Sequence, residues 1–162
     1  MRAMRYLAWG LLVVFPALGS SEVAAQAGSS VQTTLTSLVG KLERSEVGKI
    51  EILAIPARIE TPVAISGDDL EHSPDYRLIV KDIRRGALKR PLLEALRSLT
   101  ATQSENPSDI RWGVIFYNAE GTRLVGLYFD RYGHRGAIDS IPVDMQGNFF
   151  SWLKDKFSDC FP

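Results

Sequence analysis

The sequence has few of the residues that build disulfides and zinc sites, and it lacks the glycine-rich motifs that bind phosphate. Its 162 residues include one cysteine and two histidines. A lone Cys160 cannot form a disulfide scaffold, and a structural zinc site takes four Cys or His ligands in closely spaced pairs that are absent here. The two common glycine-rich phosphate motifs are also absent. We therefore expect no metal and no cofactor, and Cys160 to be either buried beside the last helix or free to pair with another chain.

The chain also lacks an excess of either charge. Its 19 basic residues balance 19 acidic ones, which gives a formal net charge of +0 at pH 7. Domains that bind nucleic acid normally carry a basic excess, so we expect no nucleic-acid partner. Apolar residues make up 45% and charged residues 23% of the chain. This composition is typical of a folded soluble protein and not of a disordered one.

No apolar run is long enough to span a membrane. Residues 6–18 (YLAWGLLVVFPAL) are uncharged, but a spanning helix needs about 20 such residues. A basic start precedes this run and small residues follow it, which is the pattern of a secretory signal peptide. We expect residues 1–27 to be removed by cleavage after Ala27 or, alternatively, after Ala25. The competing interpretation is a buried N-terminal helix.

Export sets the expected compartment and the extent of the domain. Residues 28–162 should form one soluble exported domain, either periplasmic or extracellular, without a membrane anchor. A chain of this length can bury enough apolar surface to fold without disulfides.

Apolar periodicity in the first part of the domain predicts three helices and two strands. Apolar residues recur at helical spacing over residues 31–42 and again from about Arg90 to Leu99. Ser66 lies three residues before Asp69, which predicts a capping box and a short helix over residues 67–72. The two strands are predicted at residues 49–56 and 76–81.

The second part predicts a three-strand meander and a last helix. The strands are expected at residues 110–117, 122–129 and 137–143, after a polar loop over residues 101–109. Gly121 should adopt a positive φ in the first connection. The last helix presents one apolar face, and both tryptophans of the exported domain, Trp112 and Trp152, are expected in the core. Apolar positions assigned to the helical face are Met145, Phe149, Trp152, Leu153 and Phe157.

This order of elements predicts an α+β fold. We expect an antiparallel sheet of about five strands that ends in the three-strand meander, with two or three amphipathic helices on one face. The region of Pro56 and Pro62 is expected to be an edge strand, a bulge or a bend, because proline cannot donate to a central ladder.

The turn over residues 130–136 carries the densest set of side chains suited to recognition. Arg131, Tyr132, His134 and Arg135 are of types that are enriched in binding hot spots or respond to pH. We predict these four as binding residues. Two other clusters, the acidic stretch at residues 68–72 and the basic cluster at residues 84–90, are more typical of a helix start and a solvated surface.

The function predicted from these features is a non-enzymatic binding or inhibitor-type module whose partner is another exported protein. An edge strand near residues 56–65 and the turns at 118–121 and 131–136 would present the contacts. One alternative is a small exported hydrolase in which Asp130 orients His134 as a general base. It lacks a marked nucleophile, since no GxSxG motif occurs. The other alternative is a carrier with an apolar pocket between helices and sheet.

Overall fold

The computed structural model describes residues 20–56, 58–59, 61–157 and 159, with side chains from Ser30 onward. The predicted signal-peptide segment therefore lies largely outside the described residues, as does Cys160. Within the described part there are four helices: α1 (Ser20–Glu43), α2 (Gly67–His72), α3 (Lys89–Ser98) and α4 (Phe149–Phe157). None of them is both long and apolar enough to cross a membrane.

Seven strands form one antiparallel sheet in the described chain. In chain order they are β1 (Val47–Ala54), β2 (Tyr76–Lys81), β3 (Thr100–Gln103), β4 (Trp112–Asn118), β5 (Arg123–Phe129), β6 (Arg135–Ile138) and β7 (Ile141–Gln146). Their order across the sheet is β2-β1-β4-β5-β6-β7-β3. The expected α+β class with an antiparallel sheet is confirmed, whereas the expected number of about five strands is wrong.

Two errors account for the strand count. The segment predicted as a polar loop begins with β3, which pairs with β7 at the far edge of the sheet. The predicted third strand of the meander is two strands, because the chain turns at Asp139, where φ is 52°. The four residues of β3, TATQ, carry no apolar alternation that would mark a strand, and the division at Asp139 depends on the pairing of β6 with β7.

Of the edge strand, bulge or bend expected at residues 56–65, the described residues form no strand and bend at residues 62–63. The described residues of this segment form a loop, and the edges of the sheet are β2 and β3. Pro56 and Pro62 remove two backbone donors and disfavour a ladder.

Several local predictions are confirmed. The side chain of Ser66 accepts a hydrogen bond from the backbone N–H of Asp69 at 3.2 Å, and Asp69 Oδ2 accepts from the N–H of Ser66 at 3.0 Å. This reciprocal capping box begins α2 at the expected residue. Gly121 has a φ of 86° in the β4–β5 connection, as a tight hairpin turn requires.

Helix α1 begins earlier than the apolar stripe predicted. It starts at Ser20 and includes both expected cleavage positions. Residues before Val31 include alanine, glutamine and glutamate, which favour helix. The buried stripe starts at Val31 and continues through Leu35, Leu38 and Leu42. Cleavage after Ala27 would therefore leave every described core residue of α1 in place.

The two faces of the sheet are covered differently. One face packs against α1, α3 and α4 in a large apolar core, in which Phe129 stacks on Phe149 at 5.6 Å and on Phe150 at 5.4 Å. We call this the helix-covered face. Trp112 and Trp152 lie half-buried at the margin of this core.

The opposite face, here called the loop-covered face, carries α2, parts of the loops before α2 and β4, and a smaller apolar cluster. That cluster consists of Leu53, Ile55, Leu70, Ile110, Ile115 and Tyr128.

Candidate interaction surface at one end of the sheet

The strand pairing brings two loops to the same end of the sheet. Ala54, the last residue of β1, pairs with Trp112, the first residue of β4, and Trp112 pairs with Phe129 at the end of β5. The loop after β1 and the turn after β5 therefore leave the sheet side by side. The hairpin at residues 118–121 lies at the opposite end, so the three segments expected to present contacts do not form one surface.

The turn over residues 130–134 is held by one carboxylate. Asp130 Oδ1 accepts hydrogen bonds from the backbone N–H groups of Tyr132, Gly133 and His134 at 3.1, 2.6 and 3.2 Å. Gly133 adopts a φ of 78°, which a non-glycine residue rarely does. The backbone of the turn is thus fixed internally, while the side chains of Arg131, Tyr132 and His134 face solvent.

The geometry around His134 bears on the hydrolase alternative. Asp130 Oδ1 accepts from three backbone N–H groups of the turn, and no hydrogen bond joins this carboxylate to the imidazole of His134 in the described residues. Ser140 follows the other end of β6, four residues of strand away from His134. In the described residues no group of three His, Cys, Asp or Glu side chains is placed to hold a metal ion.

The loop after β1 is held by a buried arginine. Arg111 is only 2% exposed. Its guanidinium donates to Asp109 Oδ2 at 2.8 Å, to the carbonyl of Ile59 at 2.8 Å and to Thr61 Oγ1 at 3.2 Å. Asp109 Oδ1 in turn accepts from the N–H of Ile65 at 3.1 Å. One ion pair thus fixes both halves of a loop whose described residues form no strand or helix.

Arg111 also links this loop to the neighbouring turn. Its backbone N–H donates to the carbonyl of Phe129 at 2.8 Å, immediately before Asp130. The main chain of Arg111 is therefore attached to the turn and its side chain to the loop. Sequence reasoning missed this residue, because an arginine near the start of the strand predicted at residues 110–117 gives no sign that it will be buried.

Large apolar side chains are exposed mainly at this end of the sheet. Four large apolar side chains are exposed among the described residues. Three of them lie on the loop and the turn: Ile59, Val63 and Tyr132. Val63 is 74% and Tyr132 is 68% exposed. Together with the polar candidates they define what we call the end surface: Ile59, Val63, Arg131, Tyr132, His134 and Arg135.

A second polar system lies on the loop-covered face, around Glu51. This carboxylate accepts hydrogen bonds from Arg77 Nη1 and from Tyr117 Oη, both at 2.7 Å. Burial disfavours the charged form, but these hydrogen bonds outweigh it and lower the pKa of Glu51 below its ordinary value. Burial and the same carboxylate raise the pKa of Tyr117 to about 12. The network is satisfied internally, which is typical of a structural group.

Tyr128 anchors the short helix α2 to the same face. Its hydroxyl bonds to the carboxylate of Glu71 and accepts from Arg123 Nη2 at 2.9 Å. The ring fits between two glycines: a Cβ at Gly67 or Gly113 would lie 3.1 Å from its carbon atoms. Burial and the neighbouring carboxylate raise the pKa of Tyr128 above its ordinary value. Tyr128 is thus an uncharged positioning group and not a reactive phenolate.

A cleft of about 150 Å³ opens beside α2. It is lined by residues of the α2 start, the loop before β4 and the β6–β7 turn, including Gly67, Pro107, Ala137 and Ser140. Sites for drug-sized ligands enclose about 300–1,000 Å³. This cleft is smaller than such a site, and it lies on the opposite face from the helix–sheet layer in which a carrier pocket was expected.

The basic cluster near α3 is partly structural. Lys89 Nζ donates to the carbonyl of Glu43 at 3.1 Å and to Ser45 Oγ at 2.8 Å, and Arg90 pairs with Glu94 at 3.0 Å. Arg84 and Arg85 are exposed. In the acidic stretch, His72 Nδ1 lies 2.7 Å from the backbone carbonyl of Asp68, inside α2.

Comparison of the chain with protein-family models, with curated proteins and with solved structures finds no match.

Proposed function

We propose that the chain is an exported protein-binding module that recognises another protein through the end surface. The observation that carries this proposal is the combination of a fixed backbone with exposed apolar side chains. Arg111 and Asp130 hold the two segments from inside, and Val63 and Tyr132 project from them into solvent. A contact surface that is ordered before binding loses less entropy on association.

The composition of the end surface fits a protein partner. Tyr and Arg are the residues most often found at interface hot spots, and here Tyr132 lies between Arg131 and His134. Arg135 makes only a loose ion pair with Asp144, at 3.8 Å, so its guanidinium stays accessible. The expected partner therefore offers an apolar pocket flanked by carboxylates.

The buried guanidinium of Arg111 supports the same interpretation. Burying Arg111 beside the half-buried carboxylate of Asp109 incurs a desolvation cost that a well-packed apolar side chain would avoid. The pair holds the loop in one conformation, and a loop with one conformation can be complementary to the surface of a partner. Inhibition of that partner is one form such binding would take.

The test is capture of partners from the native exported fraction with the tagged chain. The bait is compared with a variant in which Arg131, Tyr132, His134 and Arg135 are all changed to Ala. The Glu120→Ala variant, at the opposite end of the sheet, is the control. Any captured protein is then purified. Its Kd is measured for the parent chain, for the variant with four alanines, for Glu120→Ala and for Val63→Asp.

We expect the control to retain the partner and both end-surface variants to weaken the Kd by about thirtyfold or more, as loss of a hot spot does. Equal binding by all variants would contradict the proposed surface. Capture of no partner by any bait would count against the binding module and in favour of the hydrolase and carrier alternatives.

Export itself is tested on the mature N-terminus. We expect mass spectrometry of the exported chain to find Gly28 or Gln26 as the first residue. An intact Met1 in the exported fraction would refute the cleaved signal peptide.

A further inference from the structure

The two edges of the sheet are protected to different degrees. At the β3 edge, the backbone N–H of Ala101 points away from β7 and reaches Gln32 Oε1 of α1 at 3.4 Å. That edge strand is short, and three of its four residues are exposed and polar. Helix α1 therefore covers this edge.

The β2 edge has no such cover in the described part of the chain. Residues 77–81 make no backbone hydrogen bond there outside the ladder to β1. The strand has the sequence YRLIVK, with no proline, and its pairing with β1 shows no bulge. Proline and bulges, two devices that prevent a further strand from pairing, are thus missing, and the charges of Arg77 and Lys81 repel a basic strand but not an acidic one.

An apolar side chain lies at the centre of this edge. Ile79 is 47% exposed and is the one large apolar side chain exposed in the described chain that does not belong to the end surface. Leu78 and Val80, on its two sides, pack against the helix-covered core. An added strand would cover Ile79 on one face and extend the core on the other.

The charges at this edge favour an acidic partner. Lys81 is directly opposite Lys49 in the β1–β2 register, and like charges in that position repel each other. Arg84 and Arg85 follow the strand and are exposed. A second copy docking through the same strand would add two more like charges, which disfavours self-pairing.

We infer that β2 is an acceptor edge for an extended segment of another protein in which positions two residues apart are acidic, apolar and acidic in turn, so that these three side chains lie on one face of the added strand. The apolar residue would lie opposite Ile79 and one acidic residue opposite Lys81. The other acidic residue would lie opposite Arg77, which already pairs with Glu51 at 2.7 Å and so contributes less to the attraction. This surface is separate from the end surface and rests on different residues. Either proposal can therefore fail without the other.

The probe is the peptide acetyl-Ser-Glu-Val-Val-Val-Glu-Ser-amide, which reads the same in both directions, so that strand orientation does not matter. The control peptide has Lys in place of both Glu residues. Binding is followed by amide NMR shifts of the ¹⁵N-labelled protein. We expect saturable shifts along residues 77–81 and binding of the basic peptide weaker by about fivefold or more.

The decisive variant is Lys81→Glu, which replaces the repulsive pair with Lys49 by an attractive one. It should fold at least as stably as the parent and reverse the peptide preference. The control is Lys156→Glu on α4, which should leave the preference unchanged.

Three outcomes would overturn the inference. One is the absence of shifts in β2 with the acidic peptide at about 5 mM, a concentration above the Kd of even a weak complex. Another is an equal response to both peptides. The last is a change of the β2 amide shifts with protein concentration when no peptide is present. That result would mean that the edge pairs with a second copy of the chain.

Discussion

The two faces of the sheet bury different chemistry. The helix-covered face buries apolar side chains such as Val114, Phe116 and Leu127 against three helices. The loop-covered face carries both of the charged residues that are buried in the described chain, Glu51 and Arg111. One face is held mainly by apolar burial, which is not directional. The other is held largely by ion pairs and hydrogen bonds, which set exact positions for a short helix and a loop.

This contrast explains where an interaction surface can form. Burial of apolar area tolerates small shifts in packing, whereas a satisfied polar network fixes one arrangement. The described residues of the loop that carries Ile59 and Val63 form no helix or strand, so the shape of this loop depends on Arg111. The polar face thus organises the end surface, while the apolar face supplies most of the stability.

The largest effect is expected from a charge placed on the helix-covered face. Leu38 is 2% exposed in the core stripe of α1. Leu38→Asp would bury an unpaired carboxylate at a cost of about 5 kcal/mol or more, comparable to the stability of a typical domain. We expect circular dichroism to show no cooperative thermal unfolding. The neighbouring exposed position supplies the control, Ser37→Asp, with a change of about 0.5 kcal/mol or less. Normal melting of Leu38→Asp would refute the orientation of α1.

A smaller but still large effect is expected from removing the buried guanidinium. Arg111→Met takes the donor from the carbonyl of Ile59 and from the half-buried carboxylate of Asp109, at a cost of about 2–3 kcal/mol in unfolding free energy. The matched control, Arg97→Met, removes an exposed arginine paired with Glu43 and should cost about 1 kcal/mol or less. Urea denaturation measures both. An equal loss of unfolding free energy in the two variants would mean that Arg111 contributes no more to stability than the exposed ion pair of Arg97 does.

The smallest effect is expected at Glu51 and should depend on pH. Because the folded state lowers the pKa of Glu51 below its ordinary 4.5, the unfolded state binds more protons in acid. The stabilisation is complete above the ordinary pKa and is lost as the pH falls through the lowered one. Glu51→Gln should cost about 1–3 kcal/mol at pH 7 and less at pH 3.

Urea midpoints at the two pH values measure this difference. Glu120→Gln, at an exposed hairpin position, should show no change at either pH. A cost for Glu51→Gln that is the same at both pH values would show that the charge on Glu51 contributes nothing.

Local patterns in the sequence were sufficient for several elements. The capping box of Ser66 and Asp69 predicted α2 to the residue, and the run YRLIVK predicted β2. Gly121 marked the hairpin between β4 and β5. Each of these signals lies within a few residues of the structure it specifies, where propensity and side-chain capping act.

The candidate site was only partly predictable for the same reason. The turn residues Arg131, Tyr132, His134 and Arg135 stood out because of their types, and the structure places them at one end of the sheet. Val63 and Ile59 did not stand out, because apolar residues in a loop can be buried or exposed. Arg111 did not stand out either, since only Asp109 is close to it in sequence, and its other two partners, Thr61 and Ile59, lie 50 and 52 residues away.

The sequence by itself determined the fold class, the apolar stripe of α1 and the identity of most strands, because periodicity and capping are local properties of the chain. Only the tertiary structure decided that Thr100–Gln103 joins the sheet, that Glu51 and Arg111 are buried, and that β2 is left as an open edge. These outcomes depend on which distant segments meet. Contacts between distant segments determine which strands pair, which ion pairs are desolvated and which edge of the sheet is exposed. The residues of any one segment do not.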